Sequence, residues 1–179
     1  MLRFKHLALA VAFFACTLAG VPAMAADPVL APLAPLMGKT WRSVENGTNP
    51  DGSTFNDVVR WEWQASGHMA LATHSLNEGV YGGVTLIHHD AKARTIVFRY
   101  ATTGGFYTEG TIVPKDGGFE ILETVKGTTG GPSDVRTFMK MDGPDAYTVE
   151  SRMMVNGVWG EPQTRMYRVD PDADVLFHQ

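Results

Sequence analysis

Short runs of alternating apolar and polar residues fill the chain from Trp41 to Val169, and most runs end in residues typical of turns. Successive side chains of a β-strand point to opposite faces, so this alternation predicts half-buried strands. The runs are also rich in β-branched and aromatic residues, which favour strands. With a further strand at Trp41 they predict about ten strands: VVRWEWQ, HMALATHSL, YGGVTLIHHD, TIVFRYATT, GFYTEGTIV, GFEILETV, DVRTFMKM, AYTVESRMMV and TRMYRV.

The segments between these runs favour antiparallel hairpins. Asn156-Gly157 is the dipeptide preferred in two-residue type I′ turns. The segments Asp116-Gly117-Gly118 and Asp142-Gly143-Pro144-Asp145 also consist of residues typical of turns. The proline-rich stretch ADPVLAPLAPLMGK before the first strand allows one short helical turn around 33–37. The fold class predicted is therefore all-β, an antiparallel meander closed into a barrel.

The first 25 residues have a different pattern. Arg3 and Lys5 precede an apolar run over 7–21, and the tripeptide Ala23-Met24-Ala25 follows. This is typical of a secretory signal peptide cut after Ala25, which predicts a periplasmic or secreted protein with no stable membrane insertion. Residues 26–179 then form one domain. The alternative is a lipoprotein signal at FFAC, with lipid on Cys16.

Charge and cysteine content exclude several kinds of function. The chain has 15 basic and 19 acidic residues, and cleavage would remove Arg3 and Lys5 to leave 13 against 19, a net charge of −6. A negative domain disfavours nucleic acid as a partner. Cys16 is the only cysteine, so a mature chain without it has no disulfide, thiol nucleophile or zinc-thiolate site.

Two stretches carry a resemblance to a known group of proteins. LAPLMGKTWRS places a short leucine-rich segment, a Gly and a Trp before the first strand, and DGPDAYTVESRMMVNGVWGEPQTRMYRV ends in a G-x-W and a closing YRV. They resemble lipocalin-like (calycin) barrels, including small bacterial domains of unknown function and nitrobindin-type haem barrels. The resemblance implies a barrel with an internal cavity for a small, mostly apolar molecule.

The chain departs from that group at two positions. Two residues separate Gly38 from Trp41, where lipocalins typically have one. The closing strand 163–168 also lacks the histidine that binds haem iron in nitrobindin-type barrels. We therefore predict no cofactor.

The hairpin THSLNEGVYGGVTLIHHD contains the first group of candidate site residues. A loop over 77–79 would place His74 opposite Gly82 and His68 opposite His88, close enough to share a metal ion. A two-residue loop would place His89 opposite His68 instead. No third ligand is evident, so we favour no metal. His74, among small and apolar neighbours, is a candidate general base or a core histidine, and Gly82 would leave room for a ligand.

The second group lies in FRYATTGGFYTEGT. Tyr100, Tyr107 and Glu109 are candidates to orient a ligand or to transfer a proton, against the alternative of a solvated hairpin tip.

A third group is basic. Arg136, Arg152 and Arg165 lie on the last three long strands and would bind a carboxylate if their faces agree; otherwise they form exterior ion pairs. Trp61 and Trp63 share one face of their strand and are candidates to line an apolar pocket.

Three functional classes remain open. The preferred one is an exported barrel that binds a small apolar or aromatic molecule. The alternative is a cofactor-independent isomerase, lyase or cyclase in which His74 acts with Tyr107 or Glu109. The third is a filled barrel with a scaffold role. The oligomeric state is not predicted.

Overall fold

A computed structural model describes residues 26–44, 47–48 and 54–178. The predicted signal peptide and Cys16 lie outside these residues. The strands are β1 (Lys39–Ser43), β2 (Gly47–Thr48), β3 (Thr54–Phe55), β4 (Asp57–Gln64), β5 (Met69–Leu76), β6 (Tyr81–Asp90), β7 (Thr95–Thr102), β8 (Tyr107–Lys115), β9 (Gly118–Lys126), β10 (Pro132–Met141), β11 (Ala146–Val155), β12 (Val158–Trp159) and β13 (Gln163–Val169). Short 3-10 helices span Pro28–Leu36, Ala65–Gly67 and Asn77–Gly79.

Ten of the strands form a closed antiparallel barrel, as the hydrophobic pattern predicts. β4 to β11 pair in sequence order as a meander, β11 pairs with β13, and β1 closes the ring between β13 and β4. β12 folds back on the end of β11, and β2 pairs with β3 in a separate two-stranded sheet. Within the described part of the chain, no helix has the length and apolar character needed to cross a bilayer.

The helix Pro28–Leu36 covers one end of the barrel. Its sequence PVLAPLAPL repeats Leu every third residue, and a 3-10 helix has three residues per turn, so the leucines share one face. Leu30, Leu33 and Leu36 are all buried. The helix is longer than the single turn predicted around 33–37, because the prolines fit its φ angles and Asp27 Oδ1 accepts a hydrogen bond from the Val29 amide at 2.9 Å.

Aromatic side chains pack against this helix inside the barrel. The Trp41 indole Nε1 donates to the Leu36 carbonyl oxygen at 3.1 Å, which joins β1 to the helix. The Trp41 ring lies 4.9 Å from the ring of Tyr147, which stacks on Tyr167 at 4.8 Å. We call this end of the interior, which the helix covers, the helix end, and the opposite end the far end.

The β5–β6 hairpin corrects one prediction. The loop 77–79 was expected to place His74 opposite Gly82, but the structure pairs His74 with Gly83. Val80 has helical backbone angles and stays out of the strand, so the loop has four residues, and Asn77 and Glu78 adopt positive φ angles of 49° and 58°. This single-residue change decides which glycine faces the interior.

Candidate functional site

Inward-facing side chains of seven strands, β4 to β10, line a cavity of about 230 Å³. Most of its wall is aliphatic or aromatic, because the inward positions of these strands carry the apolar half of the alternating pattern. A few polar groups interrupt that wall. The lining residues are Val59, Trp61, Ala72, His74, Thr85, Ile87, Phe98, Tyr100, Ile112, Ile121, Glu123 and Met139.

His74 is held between two polar side chains at the cavity wall. Its Nδ1 lies 2.9 Å from Asp57 Oδ1 on the neighbouring strand β4. Its Nε2 is hydrogen-bonded to the Tyr100 hydroxyl on β7. The second oxygen of Asp57, Oδ2, accepts a hydrogen bond from the Tyr167 hydroxyl at 2.7 Å. A hydrogen-bonded chain therefore crosses the interior from β13 to β7.

Asp57 and Tyr100 bind opposite ring nitrogens of His74, so the tautomer of the imidazole sets the direction of both hydrogen bonds. Burial, above all, raises the pKa of Tyr100 well above its usual value, so the phenol remains protonated near neutral pH. If Tyr100 donates to Nε2, the imidazole is neutral and Nδ1–H donates to the Asp57 carboxylate. A histidine oriented by a carboxylate in this way suits proton transfer at Nε2.

Gly83, opposite His74, makes room for Tyr100. A Cβ at Gly83 would lie 2.5 Å from Cε2 of the Tyr100 ring and would also overlap the Ala101 carbonyl oxygen. Only glycine lets the ring lie against β6 at this position.

A second carboxyl group, Glu123 on β9, lines the cavity. Its Oε2 accepts a hydrogen bond from Thr108 Oγ1 on β8 at 2.8 Å. Burial raises the pKa of Glu123 above its ordinary value, and the weaker opposing effect is the hydrogen bond from Thr108. Glu123 is close enough for its charge to contribute to the raised pKa of Tyr100.

The structure brings three of the predicted site residues together, since Trp61, His74 and Tyr100 all line the cavity. Trp63 lies on the same strand face as Trp61 but is 37% exposed, beyond the cavity towards the helix end. Gly82 faces outward, beneath the ring of Phe177 in the C-terminal segment.

Tyr107 and Glu109 lie on the outer face of the barrel. β7 and β8 pair Tyr100 with Thr108, so the residues on either side of Thr108 point outward. There Glu109 Oε2 binds Arg99 Nη2 at 2.8 Å, and the Arg99 guanidinium lies 4.9 Å from the Tyr107 ring. Tyr107 and Glu109 therefore do not share a wall with Tyr100.

The three arginines do not form one cationic ladder. Arg136 and Arg152 are direct partners on the exposed outer faces of β10 and β11, and Arg136 Nε binds Glu120 at 2.8 Å. Arg165 pairs with Val149 on the opposite face, and its guanidinium lies 3.6 Å from the centre of the Phe55 ring. The exterior ion pair, the alternative left open by the sequence, describes Arg136 and also Arg152, whose Nη2 lies 3.7 Å from Glu150 Oε1.

The predicted histidine pair is also separated. β5 begins at Met69, which is the partner of His88, so His68 lies just outside the strand. His88 is exposed on the outer face, while His89 Nδ1 lies 3.0 Å from Asp27 Oδ2. Among the described residues, no group of three or more His, Cys, Asp or Glu side chains is arranged to bind a metal ion.

Polar residues of the interior that the sequence did not single out include Asp57, Thr108 and Glu123. A signal was present for Glu123, because in GFEILETV it shares the face of Phe119 and Ile121. Asp57 likewise shares the face of Val59 and Trp61, immediately before the strand VVRWEWQ. A carboxylate in phase with buried apolar residues marks a buried acid.

A closed antiparallel barrel with an interior cavity is the architecture of the lipocalin-like (calycin) barrels, and this structure has it. A scan of protein-family models and a search of curated proteins found no match for the chain. The narrower resemblance to nitrobindin-type barrels and small bacterial domains stays a prediction.

Proposed function

We propose that this protein is an exported barrel that binds a small, mostly apolar or aromatic molecule in its interior. The observation that carries the proposal is the cavity of about 230 Å³ with a largely apolar wall and a polar group of His74, Tyr100 and Glu123. Ligand sites commonly combine apolar walls with a few oriented polar groups.

The cavity volume limits the size of the ligand. A dry cavity of roughly 150 Å³ is sufficient for benzene, so 230 Å³ suits a molecule of one or two rings. Export is supported by the signal-peptide pattern over residues 1–25.

A large side chain placed inside the cavity tests this proposal. Ala72 lines the cavity and is 6% exposed, so Ala72→Phe should occupy the ligand volume. We expect the wild-type protein to bind 2-naphthylmethanol in an NMR titration and Ala72→Phe to lose that binding. Ala101→Phe, on the exposed outer face of β7, is the matched control and should bind normally. Equal binding by Ala72→Phe, with its fold verified by circular dichroism, would contradict the proposal.

Proton-transfer catalysis is a second candidate function, favoured by the chain from Asp57 through His74 to Tyr100. A ligand oxygen that accepts the Tyr100 hydroxyl would leave His74 Nε2 free to take a proton from an adjacent carbon. This differs from the partners expected from the sequence, Tyr107 and Glu109.

Exchange of carbon-bound protons measures this activity without knowledge of the natural substrate. We expect the wild-type protein to accelerate deuterium exchange at the α-carbons of 2-tetralone, and His74→Ala to reduce the acceleration by roughly 10²-fold or more. If both proteins exchange the ketone at the same rate, His74 is not a base and only the binding function remains.

A further inference from the structure

The described ionisable side chains that line the cavity include a carboxylic acid but no strongly basic group. Within the described part of the chain, the cavity wall contains Glu123, His74 and Tyr100 but no Lys or Arg. Arg136 and Arg152 point to solvent on the outer face. Arg165 pairs with the inward-facing Val149 but lies against the Phe55 ring and is not part of the cavity wall. The wall therefore offers an acid without a basic partner.

Glu123 is only partly satisfied by the protein. Thr108 donates to Oε2 at 2.8 Å, and among the described residues Oε1 receives no hydrogen bond. Oε1 has no partner in the described part of the chain and yet is not one of the fully buried unpaired atoms, so it keeps some accessible surface. Because Glu123 lines the cavity, we take Oε1 to be accessible from inside it.

We propose that Glu123 makes the cavity selective for ligands whose apolar body carries a protonated amine, with the Glu123 carboxylate as counter-ion. This inference rests on the proposed binding function and names the chemical class of the ligand. An ammonium group supplies both the charge and the hydrogen-bond donors that Oε1 lacks.

Two further features of the wall favour a cation over an anion. The rings of Trp61, Phe98 and Tyr100 line the cavity, and aromatic faces attract an ammonium ion. A carboxylate ligand would have no Lys or Arg to pair with at the described wall and would be repelled by Glu123. None of the three arginines considered from the sequence as carboxylate ligands, Arg136, Arg152 and Arg165, lines the cavity.

Three probes of nearly the same shape separate charge from size. 2-Naphthylmethylamine carries an ammonium, 2-naphthylmethanol a neutral hydroxyl and 2-naphthoate a carboxylate. We expect isothermal titration calorimetry at neutral pH to show that wild-type protein binds the amine roughly tenfold or more tightly than the alcohol. The carboxylate should bind most weakly.

Glu123→Gln removes the charge and retains the shape of the side chain. We expect this variant to lose the preference for the amine while it still binds the alcohol. Glu109→Gln, on the outer face of β8, is the matched control and should keep the wild-type ranking.

The outcomes separate this inference from the proposed function. If the wild-type protein binds alcohol and amine equally, or if Glu123→Gln retains the preference, the amine inference is wrong although the cavity still binds ligands. If none of the three probes binds, both proposals fail. The wild-type ranking alone can contradict the inference, so the test does not depend on the folding of a variant.

Discussion

The helix end and the far end of the barrel interior are built from the same alternating pattern but differ in chemistry. At the helix end, Leu33, Trp41 and Tyr147 are 1%, 0% and 2% exposed and fill the space between the strands. Towards the far end, the inward positions carry Asp57, His74, Tyr100 and Glu123 instead.

The comparison shows that the densely packed apolar core and the proposed binding groups lie towards opposite ends of the interior. Dense apolar packing at the helix end supplies the burial that stabilises a barrel. Buried polar groups contribute less net free energy, since each must recover the hydrogen bonds that it loses with water. Their presence towards the far end therefore points to ligand chemistry, and the following predictions test the contrast.

The largest effect is expected at the helix end. Trp41→Ala removes the contacts with Tyr147 and the hydrogen bond to Leu36, and leaves a cavity. It should lower the free energy of unfolding by about 3–5 kcal/mol, as measured by urea denaturation. Trp63→Ala, at an exposed position of the same residue type, should cost much less, and equal losses would remove the contrast.

A smaller loss is expected at Asp57. Asp57→Asn keeps the volume but weakens the hydrogen bonds that the carboxylate accepts from Tyr167 and His74. We expect it to lower the free energy of unfolding by about 1–3 kcal/mol in the same urea assay. The exposed Asp172→Asn serves as control. A loss as large as that of Trp41→Ala would show that the polar chain is a main stabilising element.

Glu123 should affect stability in a pH-dependent way. Its pKa is raised in the folded protein, so the folded state binds the proton more tightly than the unfolded state does. Stability should therefore fall as the pH rises above the ordinary value of 4.5 through the raised pKa.

Glu123→Gln should remove that loss. The variant and the wild type should have similar melting temperatures near pH 4, and the variant should be the more stable at pH 8, by about 1 kcal/mol. Thermal unfolding across this pH range provides the measurement. A constant difference between the two proteins would indicate that Glu123 titrates as it does in water.

The smallest effect is expected on the outer face. Glu109→Gln breaks an ion pair with Arg99 in which both side chains are largely exposed to water, at 41% and 64%. Solvent and salt screen such pairs, so the melting temperature and the affinity for 2-naphthylmethanol should stay at the wild-type values. A clear loss of affinity would mean that the outer wall of β8 contributes to the site.

Much of the fold could be predicted because strand alternation and turn residues are local signals. The runs YGGVTLIHHD and AYTVESRMMV match the bounds of β6 and β11, and the barrel closes as expected. The residues of the candidate site were harder to predict from the sequence. Of the predicted residues, Trp61, His74 and Tyr100 line the cavity, whereas Asp57 and Glu123 were not predicted although each is in phase with apolar neighbours.

The sequence by itself therefore determined the strands, their turns and which residues of one strand share a face, since these depend on neighbours along the chain. Only the tertiary structure decided which face points inward and which residues meet across strands. Because Val80 lies in the loop and not in β6, His74 pairs with Gly83. The register of β7 and β8 pairs Tyr100 with Thr108, not with Tyr107. Because strand side chains alternate with period two, one residue of register exchanges the inner and outer walls of the barrel.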